Sequence, residues 1–380
     1  MTMPKWPSRC EEKRVLHVVP RWDLGMGGVK RFILNASSAL DHRPYKCRVL
    51  SIGAVEGDGL GLEVESLISK HANPLDLVLA SNVLCARIRD ISPDVVHIHG
   101  NNGVALLYAE VAQRAGVTMR VVHSHSSSLG SDELCKHFAD VALKRRFADA
   151  PTDRVACSRA AGDWLFGSKP YSIVRNGIDV SRFAFSTEDR CITRNQLGIA
   201  EGAIALVLVG AGIPVKNTLF ALSILGKLRN TSIDTHLVLV GEGSETSSLR
   251  EEARSMGVLP FVHFVGTVGD VWRYYSAADV LLMPSFYEGL PISLVEAQAN
   301  GLPCAVSEAV SREADVAGLI EYLPLDCGGI WERTILTLAE RGASRDEGGS
   351  EHSAAAVCTA GFSLEDLGAQ LDMLYKGCGI

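Results

Sequence analysis

Short apolar runs rich in Val, Ile and Leu recur along the chain, separated by stretches in which apolar positions return every three or four residues. In the first half the runs are "VLHVVP" (15–20), "KCRVLSIG" (46–53), "DVVHIHG" (94–100), "MRVVHSH" (119–125), "DRVACS" (153–158) and "YSIVRNG" (171–177). Between them "GGVKRFILNASSAL", "VALLYAEVAQRAG" and "LCKHFADVALKRRFAD" carry the helical period. The second half repeats the alternation, with strands expected at 204–210, 235–241, 261–266, 279–285, 303–308 and 320–325. Its helices are expected near 217–229, 244–256, 270–277, 291–300 and 328–340. Continuous apolar runs suit strands covered on both faces, and strand–helix alternation predicts doubly wound parallel sheets. The break falls near 180–200. The small, polar, Gly-rich segment 340–357 reads as a flexible excursion before a last helix at 363–377.

A length of 380 residues is generous for one domain and comfortable for two, and 47% apolar content supplies each half with a core. The net charge of −7 is uneven: residues 1–185 hold 24 Lys and Arg against 19 Asp and Glu, the remainder 13 against 25. A positive front half suits an anionic partner such as lipid head groups or a phosphorylated acceptor. Ten cysteines without C-x-x-C spacing read as free thiols in a reducing compartment. The N-terminal apolar run is too short for a signal peptide, and no run reaches the roughly 18 apolar residues of a membrane span. The expected location is cytoplasmic, or peripheral on the inner face of the cell membrane.

In doubly wound folds ligands bind beyond the carboxyl ends of the strands, so chemistry is sought there. After the first strand, Gly27 and Gly28 stand where a loop turns into a helix and backbone can approach an anion. His97 with His99, and His123 with His125, form two H-x-H pairs whose members share a strand face. They could hold a metal, but no carboxylate or cysteine stands at ligand spacing. His125, at a strand end before three serines, is the better substrate contact; His97 and His123 read as structural. Lys216 precedes a helix that Asn217 is expected to cap, a position suited to phosphate oxygens. Asp270 reads as a helix cap. In "PSFYEGLPISLVEAQANGLP" (284–303), Pro291 opens a helix and Asn300-Gly301 closes it. Glu288 lies in the preceding turn and Glu296 inside the helix. The N–H groups around Gly289, Leu290, Ile292 and Ser293 lie between the two carboxylates. That arrangement suits a sugar nucleotide, with the diphosphate on the helix end and the carboxylates accepting from hydroxyls.

These residues resemble the retaining glycosyltransferases of GT-B fold marked by E-x7-E, glycosyltransferase family 4, of the exopolysaccharide and capsule type. The tokens "HVVPRWDLGMGGVKRF", "DVVHIHG", "VVHSHSSS", "RNGIDVSRF", "VKN", "LVGEG" and the block at 279–308 run in family order. The resemblance implies two Rossmann-like domains facing a central cleft. Residues 1–185 would bind the acceptor and 186–362 the nucleotide-sugar, and the helix at 363–380 would cross back to the first domain. It implies transfer of a hexose or N-acetylhexosamine, with retention, from a nucleotide-sugar of UDP type to a glycan or lipid-linked acceptor. No metal, cofactor or nucleic acid is expected. Glu296 would bind the ribose. Glu288 would sit by the transferred sugar, and Gly289, Leu290, Pro291 and Ile292 would line donor phosphate and sugar. Lys216 would bind the diphosphate, Gly27 and Gly28 would match the loop by the phosphates, and His125 would be a histidine near the sugar. One departure stands out: Ala211 occupies the place of a family arginine, for which Arg175 or Arg312 are the substitutes on offer. Two alternatives follow, a nucleotide-sugar-binding protein with weakened catalysis and a metal-dependent hydrolase built on the H-x-H pairs. The amphipathic basic stretch 136–147 is a further expected contact, with anionic membrane.

Overall fold

The computed structural model describes residues 12–22, 27–55, 59, 61–67, 80–127, 133–244, 246–326 and 329–378. The chain divides into two units, Met1–Gly177 with Leu364–Ile380, and Ile178–Ser363. The division comes eight residues before the expected boundary at 185, because Ile178, Val180 and Phe183 are buried in the core of the second unit. There the Ile178 N–H donates to the Phe362 carbonyl at 2.8 Å.

The first unit is a parallel sheet of seven strands: β1 (Lys13–Val19), β2 (Tyr45–Ser51), β3 (Glu63–Ser66), β4 (Val95–His99), β5 (Met119–Ser124), β6 (Asp153–Ala156) and β7 (Ser172–Ile173). Their order is β3-β2-β1-β4-β5-β6-β7, so the topology reverses between β1 and β4. Alternate side chains feed two cores. Leu16, Val18, Val96, Ile98 and Val122 face one way. Val15, Val19, Val95 and Val121 face the other, under Phe32 and Ile33 of the helix Gly27–Leu40 and Leu367, Leu371 and Tyr375 of the helix Leu364–Lys376. That last helix is fastened to the first unit by polar contacts as well. Lys13 Nζ donates to the Tyr375 carbonyl at 2.7 Å and Tyr45 OH to Asp372 Oδ1 at 2.9 Å.

The second unit is a parallel six-stranded sheet: β8 (Ile204–Val209), β9 (Thr235–Val240), β10 (Val262–Gly266), β11 (Val280–Met283), β12 (Cys304–Ser307) and β13 (Ile320–Leu323). The order β10-β9-β8-β11-β12-β13 reverses between β8 and β11. The segment expected to be flexible is helical: Ile330–Ala343 is followed by Glu347–Thr359. Asp346 Oδ1 caps the second helix by accepting from the Gly349 N–H at 2.6 Å. Its small residues are packing residues, since Ser350 is buried, accepts from the Phe185 N–H at 2.9 Å and donates to the Ala299 carbonyl. Among the described residues eight cysteines are free thiols, and no helix is long and apolar enough to cross a membrane.

One face of the first sheet carries an unusual polar layer. His17, His97, His99, His123 and His125 stand on or just after β1, β4 and β5, with His17 opposite His97 and His99 opposite His123 in register. Phe32 meets four of the rings, His123 edge-on at 4.7 Å between centroids. Burial penalises the imidazolium and lowers all five pKa values, His17 and His125 to about 3. The unfolded chain protonates these groups near 6.5 and the folded one does not, so stability is lost as pH falls below that value. His17 alone then costs about 2 kcal/mol by pH 5. Thermal denaturation in the presence of a chelator should give a flat Tm above about pH 7.5 and a steep fall between about pH 6.5 and 5. A flat profile across that window would contradict neutral burial of the layer.

Candidate functional site

Three connections at the β8/β11 reversal of the second sheet assemble the site. The first follows β8 through Gly210, Ala211 and Gly212 to a single 3-10 turn, Pro214–Lys216. Gly210 has φ +152°, and a Cβ there would lie 2.8 Å from Lys216 Cε, so the lysine lies across the bare backbone. The second connection, Gly241–Gly243 after β9, packs backbone to backbone on the first. A Cβ on Gly241 would meet the Gly210 carbonyl oxygen at 2.2 Å, and one on Gly212 would meet that of Gly243 at 2.2 Å. Only glycine permits this approach. Gly212 N–H donates to the Glu242 carbonyl at 2.6 Å, locking the two loops.

The third connection follows β11. Phe286 N–H donates to the Val215 carbonyl at 2.9 Å, which ties the turn to the lysine's own loop. Glu288 then meets Lys216, with Oε1 2.6 Å from Nζ, and also accepts from Ser285 Oγ at 3.2 Å. Both members of the ion pair are largely covered. Gly289 and Leu290 are half-buried and Pro291 is buried. Pro291 is the extended N-cap of the helix Ile292–Ala299, whose first turn has no side-chain cap and no acidic residue. That end offers uncapped N–H groups and the positive end of a helix dipole. Glu296, 4% exposed, accepts from Tyr275 OH at 2.8 Å.

The second unit thus brings together Lys216, Glu288, Gly289, Leu290, Pro291, Ile292 and Glu296. Gly27, Gly28 and His125 belong to the first unit. Gly27 and Gly28 open the helix Gly27–Leu40, and nothing lies within 4 Å of where their Cβ atoms would stand. Neither has a positive φ. Among the described residues, neither packing nor backbone conformation asks for glycine at these two positions. His125 Nε2 lies 2.9 Å from His99 Nδ1, and the half-buried ring ends the imidazole layer beyond β5.

Two expected caps are corrected. Asn217 is left-handed (φ 52°) and makes no side-chain cap, because the 3-10 turn delivers the chain into the helix Thr218–Asn230 at an angle its side chain cannot use. The helix Trp272–Ala277 starts from Val271, and Asp270 pairs instead with Arg273 at 3.6 Å. Arg312, offered as a stand-in for the arginine missing at Ala211, lies over the Tyr322 ring at 4.4 Å. Other residues escaped the sequence reading. Tyr275 is distant in sequence from the glutamate it serves. Glu242 Oε2 and Ser244 Oγ are buried without a protein partner in the glycine-rich loop after β9. The "LVGEG" token marks that loop, but only the backbone packing places it beside Gly210 and Gly212. Gln298 and Asn300, inside the most distinctive stretch, are structural: they bond the carbonyls of Ala314 and Phe183.

Residues 26–182 match the family "Glycosyltransferase Family 4" and residues 189–319 match "Glycosyl transferases group 1". A putative glycosyltransferase, EpsF of Bacillus subtilis, is 32% identical over 359 residues, which are 88% of this chain and 90% of that protein. The chain belongs to the GT-B-fold glycosyltransferases. An Escherichia coli protein named UDP-Gal:alpha-D-GlcNAc-diphosphoundecaprenol alpha-1,3-galactosyltransferase is 28% identical over 56% of this chain and 57% of its own length. The architecture is shared with HepE of Anabaena solved with UDP and glucose, at a TM-score of 0.73, 18% identity, and 96% of this chain and 100% of that one covered. WaaG, a glycosyltransferase involved in lipopolysaccharide biosynthesis, matches with the same TM-score, identity and coverage.

Proposed function

We propose that the chain transfers a hexose or N-acetylhexosamine from a UDP-sugar to a glycan or lipid-linked acceptor in surface-polysaccharide synthesis, with retention at the anomeric carbon and without a metal. The observation that carries the reading is the placement of Lys216 and Glu288 beside an uncapped helix start at the reversal point of the second sheet. The solved relative with UDP and glucose, and the name of the Escherichia coli galactosyltransferase, support the choice of nucleotide and of a lipid-linked acceptor. In this reading Glu296, oriented by Tyr275, takes the ribose hydroxyls, and Glu288 takes hydroxyls of the transferred sugar. The diphosphate lies on the first-turn N–H groups of Ile292–Ala299 and draws Lys216 from Glu288. The bond from the anomeric carbon to the β-phosphate oxygen breaks, and the acceptor oxygen bonds to the same face of that carbon. The acceptor's proton leaves on the phosphate. Lys216 and the helix end stabilise the charge that develops on the departing diphosphate. The first unit would hold the acceptor, with Gly27, Gly28 and His125 as its candidate residues.

Ala211 favours a second reading, donor binding with weakened or lost turnover, because the phosphate site has one cation fewer than the family pattern. A hydrolase built on the H-x-H pairs has less support: a hydrolytic metal needs a position open to water and substrate, and His97, His99 and His123 are at most 1% exposed. Calorimetric titration with UDP, GDP and ADP in the presence of a chelator tests the donor site. The expected result is micromolar binding selective for UDP that Glu296→Ala abolishes. Unchanged binding in that variant, or none to any nucleotide in the native protein, would overturn the site. Sugar transfer in the same protein then separates the two readings.

We propose further that the first unit contacts anionic membrane through the 136–147 region. On the helix Leu134–Arg146, Leu134, Phe138 and Val141 form an outward apolar stripe, the first two about three-quarters exposed. The contact differs from the basic face expected from composition: Lys136 pairs with Glu133, and Lys144 with Asp140. Arg145 remains exposed and, with Arg154 and Lys169, lines a neighbouring pocket of about 410 Å³. Phe138→Asp should abolish flotation with phosphatidylglycerol vesicles; flotation equal to that of the native protein would refute the contact.

A further inference from the structure

The buried histidine layer has a second property beyond its effect on stability. One ring nitrogen from each of His17, His97 and His99 lies within 4.8 Å of the other two, and the same holds for His99, His123 and His125. Five imidazoles rarely share an apolar core without partners. A neutral imidazole carries one donor and one acceptor, and burial of either without a partner is costly. Yet His17 Nε2, His97 Nε2, His125 Nδ1 and both nitrogens of His123 are buried and unpaired. Aliphatic side chains of similar size would avoid that cost, so these rings are poorly explained as packing alone.

We propose that His17, His97 and His99 bind one late first-row transition-metal ion inside the first unit, as a closed structural site distinct from the donor site of the second unit. The geometry fits in three respects. His17 Nδ1 and His99 Nε2 are 2.9 Å apart, and ligand nitrogens around a tetrahedral zinc stand about 3.4 Å apart, so a small opening admits the ion. The rings stack, His97 on His99 at 4.4 Å along β4 and His17 of β1 on His99 at 5.2 Å between centroids. Outer partners are in place for two of the three: His97 Nδ1 is 2.7 Å from Tyr375 OH and His99 Nδ1 is 2.9 Å from His125 Nε2. Such contacts fix the tautomer that leaves the other nitrogen's lone pair for the ion. His17 Nε2 has no such partner.

The chemistry selects the ion class. Imidazole suits zinc, copper and nickel, whereas calcium and magnesium require oxygen ligands. Among the described residues no carboxylate or thiolate joins either triad. The ion's charge is therefore not neutralised by its ligands, which favours monovalent copper over divalent zinc in an apolar core. The site lies at the β1/β4 reversal and under Tyr375, so occupancy fastens the carboxyl-terminal helix to the sheet.

The test uses the full-length protein stripped with chelator and then exposed to Zn²⁺, Co²⁺ or, anaerobically, Cu⁺, both in the folded state and during refolding. The expected result is one ion per chain retained through desalting, a raised Tm, strongest for Cu⁺, and visible ligand-field bands with Co²⁺. His97→Gln should lose all three, and His263→Gln, in the second unit, none. Tyr375→Phe, which keeps the ligands, should weaken binding about tenfold. If His97→Gln does not fold, shifts of the imidazole nitrogen resonances of the native protein on adding Zn²⁺ decide the matter. Failure of all three ions to bind by either route, or binding that survives His97→Gln, would overturn the site.

Discussion

Backbone contact between the loops that leave β8 and β9 sets the position of everything else in the second unit's site. Gly241 and Gly212 let the two chains touch where any side chain would hold them apart. Gly210 in turn leaves the surface over which Lys216 lies. The lysine is thereby aimed at the next connection across the sheet, where Glu288 waits at 2.6 Å. Both charges are mostly removed from water, which strengthens their attraction but also makes each costly to leave unpaired. An anionic ligand on the helix end is a competitor for the same lysine. In the proposed donor complex, Lys216 would exchange one anionic partner, Glu288, for another, the diphosphate.

The first unit solves a different problem with the same topology. Its sheet also reverses beside β1, but the side chains facing that reversal are imidazoles rather than a lysine and a carboxylate. Parallel strands sandwiched between helices normally carry only aliphatic residues on both faces. Here the returning carboxyl-terminal helix and the helix Gly27–Leu40 cover a polar layer, and Tyr375 supplies one of its few hydrogen bonds.

Apolar runs and helical periods revealed the alternation, both sheets and most strands, because buried parallel strands are the plainest signal a sequence carries. β3, only four residues long, and the helices Ser81–Ile91 and Thr187–Leu197 stand outside the elements the sequence pattern predicts. The segment 340–357 reads as a linker because Gly and Ser are common in linkers, yet it is helical. Their smallness instead lets one helix press on another at Gly301, where Ser350 approaches to 3.5 Å of the missing Cβ. The spacing of Glu288 and Glu296 was legible as a local pattern. The Lys216–Glu288 pair and the Tyr275–Glu296 bond were not, since each joins residues set side by side only by strand order. The H-x-H pairs were visible, but His17 was a single polar residue in an apolar run until register put it opposite His97.

The claim that Lys216 leaves Glu288 for the donor diphosphate is tested most directly by comparing UDP affinity in Glu288→Gln and Lys216→Gln. Glu288→Gln should bind UDP at least as tightly as the native protein, because the lysine no longer has to leave a carboxylate. Lys216→Gln should bind at least about tenfold more weakly, the loss of roughly one charge-assisted contact to phosphate. Equal weakening in both variants, or no change in either, would contradict it.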